Sequence, residues 1–308
     1  MVYLARDYPP ALPAARVRDG TWIRVRPGAY VDAPVDLHQH ARDHLVALAR
    51  IVALREQLTR AYALSHGSAA LLWGLPLLRS PAHTHVMGMG NPSTHVSDIR
   101  RHAHRLPASH VTAHLGHQVT TLERTVIDCA MALGPLGGLV VADAALHVGA
   151  SRERCLEILD TMAGRRGVVT ARAVLELADD GAESPGESST RFVLLRAGLP
   201  TPETQVRVRT HLGTFWSDLG WPDWHLLAEY DGRVKYEANG PASEAVIEEK
   251  RRQDAIEERG YRVLRITKED LRAPERLVRR VLSAAPPGAT DRLGRRSLLM
   301  APPPRSTT

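Results

Sequence analysis

The chain has 308 residues, an ordinary apolar content of 44%, a net charge of +6 and an isoelectric point near 9.7. This length is enough for two domains with cores of their own. No apolar run reaches the roughly 18–20 residues that a membrane-spanning helix needs, and the N-terminus lacks the apolar region of a signal peptide. We therefore expect a cytoplasmic protein that does not enter a membrane.

Charge and missing motifs narrow the function classes further. Positive charge favours polyanionic partners, and nucleic acid is the first candidate, although an arginine-rich composition can also follow from codon bias. The two cysteines, Cys129 and Cys155, have no CxxC or Cys/His spacing, which indicates free buried thiols. Because no GxGxxG or Walker A phosphate loop occurs, we expect no nucleotide cofactor.

Residues 1–35 contain a predicted β-hairpin with a basic edge. The segment W-I-R-V-R-P-G-A-Y-V reads as a strand, a Pro-Gly turn and a returning strand. Arg24 and Arg26 alternate with apolar residues, which predicts that both lie on one side, where guanidinium groups contact DNA phosphates. The alternative is an exposed hairpin whose arginines are only solvated.

This hairpin resembles the wing of the winged helix in antitoxins of the abortive-infection, type IV toxin–antitoxin class. The resemblance implies binding to operator DNA and a cognate toxin as a second partner. That family places two or three helices before the wing. Here Pro9, Pro10 and Pro13 leave room for one short helix at most, so we predict a truncated winged helix.

Residues 36–180 are predicted to be mainly helical. Apolar residues recur at helical spacing over 37–60, and a short helix with a serine cap lies within 64–77. A further helix covers 120–130, and two or three more are expected in 138–180. This part of the chain also resembles the antitoxin-like proteins.

The polar residues of this region are assigned structural roles. His66 shows no base–orienter pattern, and Arg124 can pair with Asp128 four positions later on one helix face. No H-x-x-x-H pattern on a helix is present, and zinc sites generally have closer ligand pairs. We therefore predict that five further histidines are solvated or bonded to the backbone: His102, His104, His110, His114 and His117.

Three carboxylates mark a candidate metal site near the C-terminus. From residue 218 to 231 the chain reads D-L-G-W-P-D-W-H-L-L-A-E-Y-D. Glu229 and Asp231 are two apart and share a strand face, and Asp218 can reach the same point from the neighbouring strand. Such acids repel one another unless a hard cation such as Mg²⁺ or Mn²⁺ lies between them. The alternative is a solvated hairpin with three unrelated surface acids.

The residues around this hairpin carry a second resemblance. E-Y-D-G is followed by a basic helix containing R-R-Q-D, a stop at Gly260 and the strand Y-R-V-L-R-I. The pattern resembles the restriction-endonuclease-like fold, in particular the very-short-patch-repair endonucleases related to PD-(D/E)XK nucleases. It covers positions 183–282 and implies a mixed sheet flanked by helices. The predicted class of the whole chain is α/β, in the broad α+β sense.

The nuclease resemblance also implies site residues. Asp218, Glu229 and an acid on the first helix, Glu187 with Glu183 as the alternative, would bind Mg²⁺ or Mn²⁺ and support hydrolysis of DNA phosphodiester bonds. For Glu187 the alternative is a purely local role, because an acid in a first helical turn favours the helix dipole without any metal. Either Ser184 or Ser188 is the expected cap of that helix.

One departure separates this chain from the nuclease pattern. The family has a lysine two residues after the second acid, where this chain has Asp231. We predict that Lys235 supplies the catalytic cation, that Asp231 holds Lys235 in place, and that Lys250 is the alternative cation. The missing lysine equally suits a domain that has lost catalysis. The alternative function is therefore a non-catalytic transcriptional regulator or antitoxin.

Two last predictions concern the C-terminal end. A basic stretch on the charged helix is expected to contact double-stranded DNA, namely Lys250, Arg251 and Arg252. Residues 283–308 are rich in Pro, Gly and Ser and are predicted to be disordered.

Overall fold

The computed structural model describes residues 1–58, 61–88, 97–232, 242–289, 294, 296 and 299. Within these residues the chain forms three β-sheets and eleven α-helices, so the predicted mixed α/β class is confirmed. None of the described helices is both long and apolar enough to cross a membrane.

The N-terminal sheet contains the predicted hairpin. Its strands β1 (Tyr3–Leu4), β2 (Trp22–Arg26) and β3 (Ala29–Asp32) lie in the order β1-β3-β2, all antiparallel. One short helix, α1 (Ala11–Arg18), precedes the hairpin, as the prolines require. The long helix α2 (Gln39–Gln57) covers the apolar face of the sheet.

The two arginines of the hairpin do not share a side. The register shifts between Arg24 and Arg26, and this β-bulge breaks the alternation, so that Val25 and Arg26 are both buried. Arg24 remains exposed, whereas Arg26 Nε lies 2.9 Å from Asp98 Oδ2, an ion pair without hydrogen-bond alignment. The prediction that Arg26 faces DNA is wrong, because its charge is neutralised inside the protein.

The middle region, predicted to be mainly helical with strands and turns around its histidines, contains a five-stranded sheet. Its strands are β4 (Ala63–Leu64), β5 (Thr84–Met87), β6 (Ile99–His102), β7 (Val111–His114) and β8 (His117–Thr120). They lie in the order β6-β5-β4-β8-β7, with β5–β6 and β4–β8 parallel. Strand β6 is therefore at one edge of the sheet.

The helices of the middle region fall where the periodicity predicts them. They are α3 (His66–Leu72), α4 (Leu122–Ala132), α5 (Gly134–His147), α6 (Arg152–Asp160) and α7 (Val168–Leu177). Thr121 caps α4 by accepting a hydrogen bond from the backbone N–H of Arg124 at 3.3 Å. The predicted pair is formed, with Arg124 Nε 2.9 Å from Asp128 Oδ1, and both side chains are buried.

The C-terminal sheet is mixed, as predicted. Its strands are β9 (Glu203–Thr210), β10 (Gly213–Trp221), β11 (Leu226–Asp231) and β12 (Arg262–Thr267), in the order β12-β11-β10-β9. Strands β11 and β12 are parallel and the other pairs are antiparallel. The helices of this part are α8 (Pro185–Arg196), α9 (Ala242–Glu257), α10 (Lys268–Arg272) and α11 (Pro274–Ala284).

Helix α8 belongs to two hydrophobic cores at once. Phe192 and Leu195 pack with the helices of the middle region, while Val193 and Leu194 pack with the C-terminal sheet. The segment predicted to be disordered contributes Leu299, which is 4% exposed in the first of these cores. Most of the remainder of that segment lies outside the described residues, and its disorder stays a prediction.

Candidate functional site

Asp218 and Glu229 lie next to each other on neighbouring strands. Strands β10 and β11 pair up to Leu219 opposite Ala228, and Asp218 and Glu229 are the next residues of the two strands. Opposed residues of an antiparallel pair project from the same face of the sheet. Glu229 is buried and Asp218 is half-buried, and the N–H of Tyr230 donates a hydrogen bond to Asp218 Oδ2 at 2.7 Å.

A third carboxylate comes from the start of helix α8. Ser184, one of the two predicted candidates, caps the helix by accepting a hydrogen bond from the N–H of Glu187 at 3.2 Å. The buried Glu187 carboxylate accepts a hydrogen bond from the N–H of Glu183 at 2.8 Å. Glu187 therefore has the local helix-start role that the sequence left open, and its charge also acts on Asp218.

The pKa of Asp218 reflects its burial and the negative charges around it. Its pKa is raised to about 6, first by burial and then by the carboxylates of Glu187 and Glu229, with Glu183 contributing less. The hydrogen bond from Tyr230 acts in the opposite direction, because it stabilises the charged form. Acids from α8 and β11 thus both act on Asp218 of β10.

Two arginines neutralise Glu229. Arg252 Nη2 lies 2.7 Å from Glu229 Oε1, and Arg265 Nη1 lies 3.0 Å from Glu229 Oε2. Both guanidinium groups also pair with Glu249, and Arg252 lies over the ring of Phe215 at 5.5 Å. Arg252, which the sequence placed on a DNA-contacting surface, is instead held among these carboxylates.

The donor set fits a hard divalent cation in its chemistry. Asp218, Glu187 and Glu229 offer only oxygen atoms, the ligands that Mg²⁺ prefers. Among the described residues, however, these three do not bring one oxygen each within 4.8 Å of the others. A metal at this place would also have to displace at least one guanidinium group from Glu229.

Three of the remaining site residues predicted near the C-terminus lie within the part of the chain that the structure describes. Asp231 ends β11 in register with Thr267 and is half-buried. Lys250 and Arg251 are exposed on α9 and are available to a ligand in solution. Lys235 lies outside the described residues.

A histidine cluster was missed by the sequence reasoning. His66, His85 and His102 each bring one ring nitrogen within 4.8 Å of the others. His85 Nδ1 lies 3.0 Å from His102 Nε2, and the rings of His66 and His102 stack with centroids 3.6 Å apart. The prediction that His102 is solvated or bonded to the backbone is wrong.

The cluster forms because two strands pair in parallel. In that register His102 is opposite Met87, two residues from His85, so both imidazoles lie on one face of β5 and β6. Burial is the main reason why the pKa of His85 is lowered to about 3 and that of His102 to about 4. His114, by contrast, bonds the carbonyl oxygen of Leu72 at 3.1 Å, as predicted.

Comparison with known proteins places the chain in a family. No protein-family model matches the chain, and the family is shown by two related proteins instead. Two proteins of Mycobacterium tuberculosis, Uncharacterized protein Rv2248 and Uncharacterized protein MT2308 from different strains, are each 30% identical over 270 residues, covering 86% of this chain and 93% of theirs. The chain belongs to the Rv2248 family. A crystal structure of the RV2827C protein from Mycobacterium tuberculosis superimposes with a TM-score of 0.36 and 16% identity, over 68% of this chain and 83% of that one.

The extent of the match defines what the Rv2248 family shares. An alignment of 270 residues is longer than either the region before α8 or the region after it. It therefore spans parts of both the histidine-containing sheet region and the C-terminal mixed sheet.

Proposed function

We propose that the protein is a DNA-binding endonuclease of the cytoplasm, and that the C-terminal sheet hydrolyses phosphodiester bonds with Mg²⁺ or Mn²⁺. The observation that carries this proposal is the convergence of Glu187, Asp218 and Glu229 from three different elements, where burial first and then the two neighbouring carboxylates raise the Asp218 pKa to about 6. Carboxylates that repel one another in this way bind a divalent cation favourably, because the cation offsets their mutual repulsion.

The side chains of this chain have distinct roles in the proposal. Asp218 and Glu229 supply the carboxylate ligands, and Glu187 supplies a third acid from α8. When bound, the metal ion activates water and stabilises negative charge on the phosphate. Arg265, whose side chain is 37% exposed, would donate hydrogen bonds to a phosphate oxygen in place of one of its present partners, Glu229 and Glu249. Lys235 remains the proposed catalytic cation, with Asp231 as its positioning residue.

The second candidate function is a non-catalytic DNA-binding regulator or antitoxin. One observation favours it: both oxygens of Glu229 are already held by guanidinium groups, in a chain that lacks lysine at position 231. Under this proposal the nuclease-like sheet is a scaffold. Exposed Arg24, Lys250 and Arg251 contact duplex DNA, and a cognate toxin is the other partner.

Plasmid nicking by the full chain separates the two candidates. With Mg²⁺ or Mn²⁺ we expect cleavage by the parent, and about 10²–10³-fold slower cleavage by Glu229→Gln and Asp218→Asn, the usual cost of losing one group that stabilises the transition state. Glu203→Gln is the matched control, because Glu203 is an exposed acid on the same sheet. No cleavage by the parent with any divalent ion, together with retained DNA binding, establishes the regulator instead.

Separate variants test whether Lys235 is the catalytic cation. Lys235→Ala is expected to abolish cleavage while leaving DNA binding largely intact, because the metal ligands remain. Asp231→Ala should reduce the rate less than Glu229→Gln does. If Lys235→Ala cuts as fast as the parent, Lys250 becomes the candidate, and Lys250→Ala is the next variant to assay.

A further inference from the structure

We propose that His66, His85 and His102 form a three-histidine zinc site on the five-stranded sheet, with the fourth coordination position left to water. The site is separate from the carboxylates of the C-terminal sheet and does not depend on nuclease activity. It joins the first residue of α3 to the adjacent strands β5 and β6.

Distances and donor chemistry support zinc. Two ligand nitrogens on one tetrahedral Zn²⁺ lie about 3.3 Å apart, since each Zn–N bond is about 2.0–2.1 Å long. His85 Nδ1 and His102 Nε2 are 3.0 Å apart, and each of the three histidines has one ring nitrogen within 4.8 Å of a ring nitrogen of the other two. A set of imidazoles alone suits Zn²⁺ and is unlike the all-oxygen sets that hold Mg²⁺.

The surroundings of His66 resemble the outer shell of a metal ligand. His66 Nδ1 lies 3.0 Å from Ser65 Oγ and 3.9 Å from Asp128 Oδ2, which leaves Nε2 for a metal. Metal-binding histidines commonly donate their second ring N–H to a carboxylate or another oxygen, which fixes the tautomer. Asp128 Oδ2 is buried and has no hydrogen-bond partner among the described residues, although Arg124 holds the other oxygen.

Backbone strain is an independent indication. His66 has a φ of +51°, in the left-handed region that a residue with a side chain seldom occupies. The residue is nevertheless only 9% exposed, and its ring stacks on His102. Strained conformations of this kind persist where the surrounding structure requires one side-chain position, and they concentrate at functional sites.

The competing explanation is a packing cluster, in which one imidazole–imidazole hydrogen bond and ring stacking satisfy all three side chains. In a zinc site the half-exposed ring of His102 turns out of its stack on His66. Its nitrogen then binds the same zinc ion as the ring nitrogens of His66 and His85. Only the zinc site predicts stoichiometric metal binding that requires all three histidines.

The test is metal binding by the full chain after treatment with EDTA. We expect one Zn²⁺ per chain by calorimetry, and the visible absorption of tetrahedral Co²⁺ when Co²⁺ replaces it. His85→Ala and His102→Ala should each weaken Zn²⁺ binding by more than about 100-fold, because losing even an outer-shell partner costs about 10–100-fold. His83→Ala is the matched control, since His83 is exposed in the same segment.

Two further variants keep the result interpretable. His85→Cys retains a zinc ligand and should still bind Zn²⁺, which separates ligation from misfolding. Glu229→Gln should bind Zn²⁺ like the parent, which separates this site from the carboxylate cluster. Failure of the parent to bind Zn²⁺, or equal binding by the parent, His85→Ala and His102→Ala, overturns the proposal.

Discussion

At the scale of single residues, the partner of an arginine decides what the arginine does. Arg24 and Arg26 are two positions apart in one strand, yet one is exposed and the other is buried against Asp98. The same contrast separates exposed Arg251 from Arg252, which is bound to Glu229 and Glu249. Net positive charge therefore overstates how many arginines can meet a polyanion.

This contrast predicts different effects of two substitutions in the hairpin. If the hairpin contacts DNA, Arg24→Ala should reduce the slope of log affinity against log salt by about 0.9, the contribution of one phosphate contact. Arg26→Ala should leave that slope unchanged but lower the melting temperature, because it leaves Asp98 largely buried without its ion-pair partner. Fluorescence anisotropy at several salt concentrations and thermal melts measure the two effects. Equal salt slopes for Arg24→Ala and the parent would exclude the proposed contact.

At the scale of elements, pairing of β5 with β6 assembles three histidines that are far apart in the sequence. An imidazole normally takes up a proton near pH 6.5, but burial keeps His85 neutral until about pH 3 and His102 neutral until about pH 4. Over the intervening range the unfolded chain binds more protons than the folded one. The folded state is therefore favoured as the pH rises through this window.

The corresponding prediction is a loss of stability on acidification. The contribution of these histidines is fully present above about pH 6.5, the unfolded pKa, and is lost as the pH falls toward the folded values. Urea unfolding in EDTA measures this effect. Between about pH 7 and pH 4.5 the free energy of unfolding should fall, and it should fall less in the double variant His85→Asn, His102→Asn. In His83→Asn, at an exposed position, the free energy of unfolding should fall as much as in the parent. A double variant as acid-sensitive as the parent contradicts this explanation.

At the scale of the whole molecule, helix α8 joins the middle region to the C-terminal sheet. Arg191 on this helix is fully buried, with Nη2 2.9 Å from Asp143 Oδ1 on α5 and 2.7 Å from the carbonyl oxygen of Leu177. Burial raises the pKa of Asp143, and Arg191 opposes that shift. A charge pair without access to water thus links the two parts of the chain.

Removing one member of this pair should be costly. Arg191→Met leaves the Asp143 carboxylate buried without its cation, and we expect a loss of about 3–5 kcal/mol in the free energy of unfolding. The matched control is Arg172→Met, which breaks a solvent-exposed pair with Asp160 and should cost about 0–1 kcal/mol. Urea denaturation of both variants makes the comparison. Equal losses would mean that the buried pair contributes no more than a surface pair.

The sequence by itself determined the elements whose signals are local. Helix periodicity, a serine cap at Ser184 or Ser188 and the stop at Gly260 predicted helices, and the apolar run before Glu229 predicted a strand, whereas the mixed C-terminal sheet was implied by the nuclease resemblance. It also predicted that Asp218 and Glu229 meet, because a short turn fixes which residues of a hairpin are opposite each other.

Only the tertiary structure decided the features that depend on distant parts of the chain. The β-bulge and Asp98 buried Arg26, although strand alternation predicted an exposed side chain. The parallel pairing of β5 and β6 brought His85 to His102, and α3 added His66. These contacts join segments far apart in the sequence, and local periodicity carries no information about which segments become neighbours.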